Sequence, residues 1–200
     1  MKRRGFLVGM FGWLPWFRDR TEAKEADVAS PETVQNDLAL ILFNEFSEWY
    51  RSLAAKGTLP RAFTGVTSGG KQAVIVLADL SLDHVQRREF LIWLCQNEQF
   101  VAYAYGTRVG IADDSNSFKE GLDIYASSER YDVSTTFDIE RQEGGAIQLA
   151  EGRHFLFPSN PSNGIFFGLQ RPDKSVRQSN EVIFHEIWQA LRPKAMWRQR

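Results

Sequence analysis

Apolar residues along this chain follow two rhythms. One returns every three or four positions and predicts helices; the other alternates with polar residues and predicts strands. After residue 31, Val34, Leu38, Ile41, Leu42, Phe46, Trp49 and Leu53 recur at helical spacing, with Asn36, Asp37, Glu45, Glu48 and Ser52 between them. Ser30 is the expected N-cap, Pro31 fits the first helical position, and Glu32 suits the positive helix end. Lys56-Gly57 and then Pro60 close this helix. A second helix is predicted over 82–97 behind Ser81, and its later turns are apolar almost all round, which predicts burial. A third starts at Ser179 or Asn180 and runs to Leu191, stopped by Pro193.

Residues 61–67 and 72–80 read as two strands joined by a Ser68-Gly69-Gly70-Lys71 turn. From Phe100 onward the period is two. Strands are expected at 100–108, 109–112, 118–127, 131–141, 146–150, 154–157 and 165–170, punctuated by turns rich in Gly, Asn, Asp, Ser and Pro. Helix, hairpin, helix, meander, helix is not the strand–helix alternation of a doubly wound fold. It predicts an α+β domain: an antiparallel meander sheet with three helices packed mainly on one face. The organisation expected is a segment and linker over 1–29, one domain over 30–193, and a basic tail over 194–200.

Of the 200 residues, 43% are hydrophobic and 24% charged, enough for one packed core. The net charge of −1 conceals an asymmetry: residues 1–20 carry +4, residues 192–200 carry +4, and the remainder carries −9. An acidic body excludes nucleic acid as a general partner but leaves basic ends that can meet an anionic membrane face. The single cysteine, Cys95, excludes an internal disulfide and a multi-cysteine zinc site. Within an apolar helix it reads as a small buried hydrophobe.

The first residues carry an address-like pattern. Lys2-Arg3-Arg4-Gly5-Phe6-Leu7 is followed by an apolar, glycine-diluted stretch over 5–17. That stretch is too short to cross a bilayer as a helix but suits the core of a signal segment. Arg3, Arg4, Phe6 and Leu7 resemble the twin-arginine export signal of bacteria, with Lys2 where Ser or Thr is usual. The resemblance implies export. Trp13 and Trp16, beside Arg18 and Arg20, are expected to contact a membrane surface or a partner, as are Trp197 and Arg198 near the other end. A retained interfacial segment and an extension packed on the body are the alternatives.

Candidate chemistry is sparse. The stretch over 65–72 nearly spells a phosphate-binding loop, but it ends in Gln72 and runs into a strand, so it lacks the helix that would face a phosphate. His84, His154 and His185 are scattered, and Gln189 stands where a helical metal pair with His185 needs its second histidine. Asp123, Asp138 and Glu140 resemble the strand-borne carboxylates of metal-dependent nucleases, and with His154 they form the candidate metal set; Asp138 and Glu140 share a strand face. A polar outer sheet face explains the same residues without a metal. The function expected is therefore a non-catalytic binding or accessory protein, periplasmic or membrane-associated, acting through protein contacts and needing no cofactor. Its alternatives are a metal-dependent hydrolase and a cytoplasmic partner-binding domain.

Overall fold

Asp37 stands at the start of the first described helix. Its extended backbone and its carboxylate, which accepts from Ala39 N at 2.8 Å, cap helix α1, Leu38–Ala54. The computed structural model describes residues 37–77, 80–112, 118–150, 152, 154–158 and 174–200. The start expected at Ser30 lies outside these residues; the described helix is capped by Asp37. Its buried stripe is Ala39, Leu42, Phe43, Phe46, Tyr50 and Ala54. Trp49 and Leu53, counted above in the apolar stripe, fall on the flank.

Strands β1 (Ala62–Thr67) and β2 (Lys71–Val76) form the expected hairpin, pairing Val66 with Gln72. Gly70, at φ +77°, takes the left-handed position and donates its N–H to Thr67 O. The near-phosphate-loop is thus a two-stranded turn. Helix α2, His84–Asn97, is capped by Asp83 in a reciprocal box with Gln86, two residues later than Ser81. Every residue from Phe90 to Cys95 is buried.

Then come β3 (Phe100–Ala112), β4 (Phe118–Ser127), β5 (Tyr131–Arg141), β6 (Ile147–Ala150) and β7 (His154–Pro158). The two strands expected over 100–112 are one. Strand 165–170 lies outside the described residues. Helix α3, Lys174–Leu191, begins earlier than its expected cap, and after a short 3₁₀ turn, Met196–Gln199 form β8 against β2. The terminal segment expected as a tail is therefore an edge strand, pinned by tertiary contacts that residue composition does not disclose.

The eight strands are antiparallel neighbours in the order β6-β5-β4-β3-β1-β2-β8, and β7 also pairs with β5. β6 lies beside one half of β5 and β7 beside the other. They act as one interrupted edge strand, broken where a Cβ on Gly152 would collide with Thr136 O. Alternation along each strand divides two cores. Ala62, Val66, Ala102, Ala104, Leu122, Ile124, Val133 and Phe137 face α1. Phe63, Ala73, Ile75, Tyr103 and Tyr105 face α2 and α3. The α+β antiparallel architecture is thus as expected; two helices share one face, while α1 covers the opposite one. α2 is placed by its role as the crossover from β2 to β3, which flank β1.

Candidate functional site

Beyond the C-terminal end of α1 the sheet is left partly uncovered, and a cleft of about 420 Å³ opens there. One wall is the flank of α1, Trp49 and Leu53; another is Leu59 and Pro60, which follow the helix. Val76 and Ile147 complete the apolar lining, and Arg108 and Arg141 stand at the polar side. Trp49 is held in place by stacking on Phe46, with ring centroids 5.3 Å apart. The helix end turns at Gly57, at φ +75°, where a Cβ would lie 2.6 Å from Gly145 O. This close approach fixes the β5–β6 turn against α1.

Strand order builds the charged side. Arg108 on β3, Glu120 on β4 and Arg141 on β5 are neighbours across three adjacent strands. Glu120 accepts from Arg141 Nη2 at 2.5 Å and lies 3.9 Å from Arg108 Nη1. Both arginine side chains are more than half exposed, 57% and 59%. Exposed pairs of this kind contribute little to stability. Arg51, one turn before the helix end, is engaged by Glu48 and lies 5.7 Å over the Phe137 ring.

The carboxylates proposed from the sequence lie elsewhere. Asp123, Asp138 and Glu140 share the sheet face opposite α1: Asp123 pairs with Thr136 and Asp138 with Gly121. Burial raises the Asp123 carboxyl above the ordinary aspartate value, and the Thr136 hydroxyl, which donates to it, pulls the other way. Asp138 and Glu140 are exposed. His154 pairs with Thr135, so it sits on the α1 face, 2.7 Å from Thr135 Oγ1 and edge-on to Phe43 and Phe137. The sheet thus separates His154 from the three acids. Among the described residues, no group of three or more His, Cys, Asp or Glu is placed to hold a metal ion.

His185, on α3, packs edge-on to Trp93 on the other side of the sheet from His154. Cys95 is buried, and burial pushes its thiol far above the ordinary range, which suits a hydrophobe rather than a nucleophile. Trp197 is 38% exposed and stacks on Phe100, with Trp188 edge-on. Arg198 is bound by Glu45 at 2.6 Å and Gln72 at 2.9 Å. Trp197 and Arg198 thus help to hold the C-terminal strand in place, and both keep exposed surface. Arg3, Arg4, Phe6, Leu7, Trp13 and Trp16 lie outside the described residues. No helix among the described residues is long and apolar enough to cross a membrane.

Sequence reading missed Arg108 and Arg141, because each is an ordinary strand charge until the strands are ordered. Trp49 and Leu53 carry a signal: the apolar stripe on α1 is wider than one sheet face can cover. No protein-family model, no curated protein and no solved structure matches this chain.

Proposed function

We propose that this chain is a non-catalytic binding or accessory protein that acts through protein contacts and is carried to, or held at, a bacterial membrane by its N-terminal segment. The observation that carries the binding half is the cleft at the end of α1. Its lining combines Trp49, other apolar side chains and two arginines. Tryptophan and arginine are the residues that most often carry the binding energy of protein interfaces. The delivery half rests on Arg3, Arg4, Phe6 and Leu7 and their resemblance to the twin-arginine signal.

A photo-crosslinking amino acid at Val76, which lines the cleft and is 42% exposed, tests the binding half in cells. A discrete protein adduct that disappears in the Arg108→Glu/Arg141→Glu background is expected. Adducts no different from those of a probe at Phe155, on the opposite sheet face, would refute it. For delivery, residues 1–35 fused to a reporter active only after export should confer activity. The Arg3→Lys/Arg4→Lys fusion should not, and equal activity in both would remove the twin-arginine reading.

A further inference from the structure

We infer that the cleft receives an acidic–apolar peptide segment of a partner protein, seating a bulky apolar side chain against Trp49 and Val76 and a carboxylate against Arg108 and Arg141. This rests on the binding reading above and specifies the chemistry of the partner.

Charge complementarity selects the ligand. Arg108, Glu120 and Arg141 form a triad with two positive charges and one negative. Glu120 holds Arg141 closely and Arg108 only at 3.9 Å. Each guanidinium has five N–H donors, and one carboxylate cannot occupy two such forks. The triad therefore has donors to spare for a second carboxylate. Lys56 and Glu143, in the two turns that meet at Gly57 and Gly145, offset one another in sign. The setting sharpens the selection. Most of the chain outside its two ends carries −9, so an acidic segment is repelled from the body in general and attracted at this basic spot. Such contrast gives orientation and specificity more than raw affinity.

The apolar side argues for a peptide rather than a lipid chain. The depression, about 420 Å³, is open to solvent, unlike the enclosed sites that bury most of a small ligand. The arginines at its rim are solvated rather than enclosed. Room for one or two large side chains beside an accessible carboxylate clamp is the shape of a peptide-docking site. A long acyl chain would need a deeper channel to bury its length.

Fluorescein-labelled ten-residue peptides alternating Glu or Asp with Leu or Phe, added to the full chain and followed by anisotropy, test the inference. They should bind, and binding should weaken as salt is raised. Matched peptides with Gln and Asn, or with Ser in place of Leu and Phe, should bind at least about tenfold more weakly. Arg108→Gln/Arg141→Gln should cost a similar factor and move the unfolding midpoint little, since exposed pairs such as those with Glu120 contribute little to stability. Phe155→Ser should change nothing. Equal binding of the neutral peptides, or an unchanged affinity in the double variant, would overturn the proposal. So would saturable binding of dodecanoate with no peptide binding, which would assign the cleft to a lipid. Failure of the acidic peptides while the Val76 adduct persists would refute this inference and leave the binding reading standing. Loss of both would remove both.

Discussion

Tyr50 fills the space that a side chain on Gly106 would occupy: a Cβ there would lie 2.5 Å from the Tyr50 Oη. The same hydroxyl lies 2.7 Å from Pro60 O and 3.0 Å from Gly106 O. One buried residue of α1 thus sets the height of the helix over β3 and ties down the chain that leaves it. Burial raises the phenol far above its ordinary value, so it stays a neutral donor at any working pH. This contact and the close approach of Gly57 to Gly145 both lie at the C-terminal end of α1, where the cleft opens.

Gly106→Ala should therefore destabilise the fold by about 1–3 kcal/mol through overpacking. Tyr50→Phe should cost about 0.5–1.5 kcal/mol by removing the one hydroxyl hydrogen that the Pro60 and Gly106 carbonyls share. In urea unfolding both variants should show a lower midpoint with an unchanged slope. A Gly106→Ala chain as stable as the wild type would show that the helix is free to shift.

Asp123 predicts a pH dependence. Its carboxyl is raised above the ordinary value of 3.8, chiefly by burial. A raised acid favours the folded state while it is protonated. The stability it contributes is thus fully present below the unfolded-state value and is lost as pH rises through the folded-state one. Asp123→Asn should be more stable than the wild type at neutral pH, and the difference should shrink on acidification. Thr136→Val removes the hydroxyl that favours the ionised form and should lower neutral-pH stability further. Denaturation midpoints of the three chains between pH 3 and pH 8 would check this; a difference that grows toward low pH would reverse the assignment.

The C-terminal strand is held by a small polar clamp. Glu45 takes Arg198 at 2.6 Å and Arg200 at 2.5 Å, and the buried Gln72 Oε1 takes both arginines at 2.9 Å. Removing residues 196–200 should lower the thermal midpoint and uncover the Trp188 ring, which a red shift in tryptophan emission would report. Glu45→Gln should cost at most about 1 kcal/mol, because the pair is partly solvated, and its effect should vanish at high salt. A truncated chain with unaltered emission and midpoint would show that β8 contributes nothing to the fold.

Cys95 should behave as core. Its thiol should react with a disulfide reagent only as fast as the native state opens. Cys95→Ser should destabilise by about 1–3 kcal/mol by burying a hydroxyl in apolar surroundings. Rapid stoichiometric labelling under native conditions would contradict the burial seen at this position.

The elements were legible because period is a local property. The strand expected over 131–141 has the bounds of β5, and the all-apolar turns of α2 announced its burial. The antiparallel α+β class followed from element order alone. What periodicity cannot reach is which elements become neighbours. Arg108, Glu120 and Arg141 are distant in the chain and meet only because β3, β4 and β5 are adjacent. His154 and Asp123 are parted by a sheet face that depends on which residue pairs with which. Met196–Gln199 is too short to show a rhythm, and becomes a strand because β2 offers an edge and Glu45 a carboxylate. Nor could the α1 pattern say which flank would lie on the sheet; that turned on the Tyr50–Gly106 fit, which left Trp49 for the cleft. Local chemistry wrote the elements, and long-range packing, in which each contact depends on register and strand order, made the surface on which this protein is proposed to act.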